Sequence, residues 1–247
     1  MALSNATSTS KTRPGVRTSV ARDEIHGSRN FRVPLPRGRG WKSVPSCRDL
    51  VLTNQARRSR NDFLSNAEAL DGDRVQQMKD YSAAETLRDG RLFEIRALRP
   101  EDRSGLLAAV GRTSEQSLYR RFFGFKRNFT EREVDFYINI DFVSHVALVA
   151  LLEEAGQPMI VGGARYIIVP SGQAEIAFAV DDAHQGQGIG TALMRHLIIL
   201  ARRADLNELI AEVLVDNAAM LKVFETSGLE ITTSREPDAI HVVLRLS

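Results

Sequence analysis

Beyond residue 90 the chain breaks into short segments whose apolar positions repeat every second residue or with helical spacing. Residues 93–98 alternate in the manner of a strand. Pro100, Glu101 and Asp102 then suit a first helical turn, because proline gives up no needed N–H and acids favour the positive end of the helix. This predicts a helix through about Gly111 and a second over 113–123, carrying Leu118, Tyr119, Phe122 and Phe123. Thr130-Glu131-Arg132-Glu133 approaches a capping box and opens a third helix towards Ile140. Residues 146–152 and 159–169 are rich in β-formers, joined by the hairpin-like Ala155-Gly156-Gln157-Pro158. Ser171-Gly172 makes a further turn, and residues 174–180 form another strand. An amphipathic helix follows, its buried stripe marked by Ile189, Leu193, Leu197 and Leu200. A strand over 209–215, a helix over 218–226 closed by Gly228, and strands over 230–233 and 240–246 complete the pattern. The order β-α-α-α-β-β-β-α-β-α-β-β defines an α/β domain, a mixed central sheet flanked by helices.

The first 60 residues lack any such period and are rich in Ser, Thr, Arg, Asn and Pro. They offer too little apolar surface to offset chain entropy, so residues 1–80 are expected to be a disordered basic extension ahead of a folded domain at 91–247. Three readings of the extension stand: a solvated tail, a transit segment, or a mis-assigned start with Met78 as the true one. Within residues 61–90, Leu64, Ala67, Leu70 and Val75 hint at a weak helix, and Asp89-Gly90 reads as a turn before the first strand.

Charge separates the same two parts. Residues 1–80 hold 15 basic against 8 acidic side chains; residues 81–247 hold 18 against 23. No apolar run nears the length needed to cross a bilayer. The single cysteine, Cys47, makes no internal disulfide, and no Cys/His spacing suggests a metal. A cytoplasmic protein without a metal, a membrane span or a specific nucleic-acid partner is the expectation.

The chemistry-bearing stretch is Gln185-Gly186-Gln187-Gly188-Ile189-Gly190, which directly follows a strand and opens a helix. Glycines let a backbone approach a pyrophosphate, and the free N–H groups of the helix start point at it. No Gly-Lys-Ser/Thr follows, so it is not a P-loop. Its position after a β-meander and its spacing exclude the dinucleotide fingerprint. Taken alone it also reads as a tight strand-to-helix turn.

With its surroundings, this stretch resembles the GNAT acyltransferases, whose signature at this junction is Gln/Arg-x-x-Gly-x-Gly/Ala; Gln185, Gly188 and Gly190 match. The stretches 216–220 and 224–229 resemble the second family signature. The likeness covers about 155 residues and implies an acetyl-CoA co-substrate, its pyrophosphate on the 185–190 backbone and its pantetheine arm against Phe178, Ala179 and Val180. It also implies a cofactor contact for Asn217, which on its own residues is equally a helix N-cap.

Along the strand before the loop, Glu175, Ala177 and Ala179 share one face, so a carboxylate stands among small side chains that leave room for a ligand. Such a glutamate can act as a base, or can be an ordinary strand carboxylate in an ion pair. By resemblance it matches the catalytic glutamate of the bacterial protein lysine acetyltransferase branch, with backbone N–H groups near Ala179 facing the oxyanion. Glu212, on the next strand, is the second choice. Residues 117–123 resemble the acceptor-side helix of that branch, and their arginines, with Lys126 and Arg127, suit a solvated face, an acidic protein surface or the phosphates of CoA. Where many members have a general-acid tyrosine, this chain has Phe224. The expected activity is acetyl transfer to an amine, possible acceptors being a protein lysine or a small molecule. An idle CoA-binding module is the rival from another class.

Overall fold

The computed structural model describes residues 72–246 apart from 125, 127 and 170–172. The stretch read as a basic extension lies outside the described residues up to 71. Its last part is ordered: α1 spans Gly72–Lys79 and buries Met78, which is 1% exposed. The first strand also comes earlier than the pattern predicts. β1 (Ser82–Thr86) pairs antiparallel with β2 (Leu92–Ala97) across the Asp89-Gly90 turn. Its SAAET sequence carries no large apolar residue, so period-two reading misses it. It is held from outside its own sequence: Tyr81 Oη lies 2.5 Å from His196 Nδ1, and Glu85 accepts from His196 and Arg195 on α5 (Ile189–Arg203).

After a short 3-10 turn at Pro100–Asp102, α2 (Arg103–Arg112), α3 (Glu115–Phe122) and α4 (Glu131–Ile138) follow. The break between α2 and α3 falls at Thr113-Ser114 because the Ser114 hydroxyl accepts from the Ser117 N–H and starts a new helix. At Thr130 and Glu133 the capping box read from the sequence is formed in both directions. The rest of the sheet is β3 (His145–Glu154), β4 (Gln157–Ile168), β5 (Ala174–Val180), β6 (Glu208–Leu214), β7 (Glu230–Arg235) and β8 (Ala239–Arg245), with α6 (Ala218–Glu225) between β6 and β7.

Eight strands form one sheet in the order β1-β2-β3-β4-β5-β6-β8-β7, antiparallel except where β5 meets β6. β3 is buried on both faces because helices cover both sides. On one side α5 and its partners bury Leu193, Leu197 and Leu200 against Leu148, Val161 and Leu209. On the other, Val134 and Ile138 of α4 cover Ala147 and Val149, and Phe136 covers Ile167 and Ile210. Among the described residues no helix is long and apolar enough to cross a membrane.

The candidate active site

Two neighbouring seams in the sheet behave differently. β4 and β5 stay in register from Ile168↔Ala174 to Gly162↔Val180. β5 and β6 pair only at Ala174↔Leu209 and Glu175↔Ile210, then separate. α5 is the crossover that joins them, as parallel neighbours require. Beyond Glu175 and Ile210 the sheet therefore splits open towards the C-terminal ends of both strands.

Hydrogen-bond alternation decides which backbone groups face the opening. The Asp181 N–H donates to Val161 O at 2.8 Å, so the odd-numbered residues of β5 bond to β4. Phe178 and Val180 consequently point their N–H and C=O groups away from β4, into the opening. Ala179, which the sequence offered as a backbone donor at this place, turns its N–H towards Gly163 of β4 instead. β4 comes this close because Gly162 has no side chain: a Cβ there would meet Ala179 O at 3.2 Å, while a Cβ on Gly163 would meet Leu148 O of β3. Val161 is the extra residue of a β-bulge that shifts the β3–β4 register here.

At the mouth of the opening lies the glycine-rich loop. Asp182–His184 forms a 3-10 turn, and Gly186 and Gly188 take φ of +74° and +102°. Gly188 stands at the N-cap of α5 and supplies no side-chain cap to the first N–H groups of that helix. A Cβ on Gly186 or Gly188 would meet nothing within 4 Å, consistent with open space over the loop. Gln185 Nε2 donates to Val180 O and to Ser117 Oγ, both at 3.1 Å. Gln187 Nε2 donates to Ala183 O at 3.0 Å and its Oε1 accepts from Arg91 at 3.2 Å. Ile189 is fully buried, and Gly190 lets α5 pack on Val223 of α6. The structure thus brings Phe178, Val180 and residues 185–190 together around one opening. Asn217 stands past the end of β6 and accepts from Met220 N–H at 3.2 Å as the cap of α6, the bland reading of that residue.

Glu175 sits at the vertex where the strands part and is 8% exposed. Its neighbours across the sheet are Ile167 on β4 and Ile210 on β6. Glu212 lies on the same face one step along β6 and is exposed. Phe224 is 2% exposed and meets the Phe178 ring edge-on at 6.2 Å.

Asp181 and Asp182, a polar pair ahead of the loop, hold the site together from below. Buried Asp181 accepts from Arg112 Nε at 2.8 Å, while Arg112 also donates to Ile160 O beside the bulge. Asp182 accepts from the Ser114 N–H and from the hydroxyls of Ser114 and Ser117, fastening the start of α3 to the loop. Burial raises the Asp182 carboxyl, but these hydrogen bonds together outweigh it and hold it below the usual range. The signal was an Asp-Asp pair ahead of the loop and a Ser-x-x-Ser ahead of an apolar run, neither specific without their meeting in space. Among the described residues no cluster of His, Cys, Asp and Glu forms a metal site.

An open parallel seam, a glycine loop at its mouth and a helix N-terminus beyond it define a site of the acyl-CoA-dependent acyltransferase class. The Acetyltransferase (GNAT) family matches residues 112–229. An acetyltransferase of Pseudomonas aeruginosa is 35% identical over 166 residues, which is 66% of this chain and 88% of that relative. The chain belongs to the GNAT family of acetyltransferases. It is also similar to acetyltransferase Pat of Mycolicibacterium smegmatis, 31% identical over 144 residues, covering 58% of this chain and 42% of that longer protein. Among solved structures, the GNAT domain of S. lividans PAT superposes with a TM-score of 0.61 at 31% identity, over 66% of this chain and 96% of that one. A Salmonella typhimurium protein solved with its cofactor acetyl-CoA shares the fold, with a TM-score of 0.52 at 22% identity over 63% of this chain and 94% of that one.

Proposed function

We propose that this chain transfers an acetyl group from acetyl-CoA to an amine, with a protein lysine as acceptor and Glu175 as base. The observation that carries the reading is the opening of the β5–β6 seam directly beyond a buried glutamate, with the glycine loop at its mouth. The loop N–H groups from Gly186 to Gly190 meet the pyrophosphate, and the α5 terminus adds its positive end. The pantetheine arm lies along β5, pairing with the outward backbone groups of Phe178 and the outward N–H of Val180, whose carbonyl the Gln185 amide engages. Asn217 keeps an amide Nδ2 for the same co-substrate while its Oδ1 caps α6.

Glu175 takes a proton from the acceptor ammonium, directly or through water. The amine lone pair attacks the thioester carbon, the C–S bond breaks as the tetrahedral intermediate collapses, and the nitrogen gives its second proton to water as the amide forms. A backbone N–H facing the opening stabilises the oxyanion, which shifts that role from Ala179 to Phe178 or Val180. Phe224 has no proton to give, so the departing thiolate takes one from water. The lysine acceptor is supported by the likeness of Glu175 and of residues 117–123 to the protein lysine acetyltransferase branch.

Calorimetric titration of the full chain with acetyl-CoA tests the reading. Micromolar binding is expected, lost in Gly188→Asp, which sets a carboxylate at the anion site and a side chain at φ +102°. Acetylation of lysine-bearing proteins in preference to free amines, followed by mass spectrometry, would settle the acceptor. A folded chain that binds no acyl-CoA would sink the reading.

A further inference from the structure

Partners across paired strands share a face of the sheet, so His145, Ile167, Glu175 and Ile210 stand in one row across β3, β4, β5 and β6. One step nearer the opening on the same face, Arg165 pairs with Ala177. α4 lies over both steps. Its partly buried Phe136 packs on the cluster of Ile167, Val169 and Ile210 and meets the His145 ring at 5.2 Å, so it covers the row of Glu175. Tyr137 lies under the Arg165 guanidinium, 4.6 Å from it, and so covers the row of Ala177. The two rings meet edge-on at 5.4 Å, and Tyr137 continues the contact to Phe122 and Phe129. The other rings of this group each carry a cation: Arg121 over Phe122 at 4.9 Å, Lys126 over Phe129 at 5.3 Å and Arg165 over Tyr137. Phe136, the ring on the Glu175 row, carries none among the described residues.

An aromatic face beside a carboxylate is a place for an ammonium group, because the negative face of the ring attracts the charge where hydration is thin. We propose that Phe136 holds the ammonium group of the acceptor by a cation–π contact next to Glu175, while Tyr137 flanks the methylene stem behind it. This rests on the acyl-CoA reading above and narrows its acceptor to a primary amine, bound as the cation, on an unbranched aliphatic stem. Ile167, Val169 and Ile210 close in the row of Glu175 with apolar groups, so the amine arrives over Ala177, whose methyl group leaves room under Tyr137. It comes from the α4 face, whereas the side chains of Phe178 and Val180 point to the opposite face and pack on the core under α5. The contact fades once Glu175 has taken the proton and the amine is neutral. Phe136 therefore acts on acceptor binding and not on the barrier that follows.

The test uses the full chain with acetyl-CoA and a short lysine peptide, comparing wild type, Phe136→Leu and Phe136→Tyr, with thermal unfolding as a check of folding. Leucine keeps much of the apolar bulk but has no π face; tyrosine keeps the face. Phe136→Leu should raise the KM for the peptide about fivefold to tenfold without lowering kcat and without changing calorimetric acetyl-CoA affinity, while Phe136→Tyr stays within about twofold of wild type. A second probe needs no turnover. The same peptide with trimethyllysine in place of lysine keeps the cation and has no proton to lose, so it should inhibit wild type competitively, and its neutral tert-butyl isostere should inhibit about fivefold more weakly. Equal behaviour of the two analogues overturns the proposal, whether or not Phe136→Leu folds. So does a wild-type KM in folded Phe136→Leu, or an equal loss in Phe136→Tyr. A wild-type chain that binds acetyl-CoA but neither acetylates the peptide nor responds to its cationic analogue overturns the acceptor assignment. One that binds no acetyl-CoA overturns the acyltransferase reading itself.

Discussion

The β4–β5 and β5–β6 seams share a strand, yet one is closed along its length and the other opens after two residues. The flanking sequences are alike in β-forming character: AEIAFAV on β5, ELIAEVL on β6. What differs is how the neighbours approach. Gly162 lets β4 close tightly on β5, whereas β6 arrives by a helical crossover and finds its own antiparallel partner in β8. Strand propensity thus says where strands are, and the smallest residues and the connections say which seams close. The open seam is where the proposed acetyl transfer has room.

The comparison can be broken from either side. The largest effect is expected at the vertex. Glu175→Gln should lower turnover by about 10²–10⁴-fold while leaving acetyl-CoA affinity unchanged, measured by steady-state kinetics beside calorimetry; normal turnover would remove Glu175 from the mechanism. Next comes the closed seam. Gly162→Val places a Cβ 3.2 Å from Ala179 O and from the Ile189 side chain, and should cost about 1–3 kcal/mol in urea unfolding.

A smaller effect should follow from loosening the mouth. Asp182 has a lowered folded pKa, so its contribution is present above the ordinary aspartate value of about 3.9 and is lost as pH falls through the folded value. Acetyl-CoA binding should weaken in that acid range as α3 is released. Asp182→Asn should weaken binding about threefold at neutral pH and flatten the acid limb of the titration. The smallest change is expected from Phe224→Tyr. A hydroxyl added where the ring is 2% exposed should cost about 1 kcal/mol in stability and alter turnover by no more than about twofold. A large gain in turnover would show instead that this position reaches the leaving thiolate.

Much of the fold was legible. From β2 onward the element order follows the hydrophobic pattern, because each strand or helix buries a face whose period survives in the sequence. β1 was not legible, since SAAET is held by contacts of its hairpin with α5 rather than by its own apolar residues. The insertion of β8 between β6 and β7 was also hidden, because order across a sheet leaves no trace in the period of a strand. In the candidate site, the glycine loop and Glu175 are the features that local spacing singles out. The Asp182 clasp is not, since its partner Ser117 lies 65 residues away in the chain.

The half-open state of β5 has a consequence for the protein in isolation. The strand begins as an interior strand and ends as an edge strand, and bare edges invite pairing with any extended chain that comes by. Here the bare stretch is kept to a few residues and roofed by α3, and the amide of Gln185 occupies Val180 O at 3.1 Å. That amide stands in for a neighbour strand the sheet does not have, so one residue of the glycine loop also covers part of the strand's free edge.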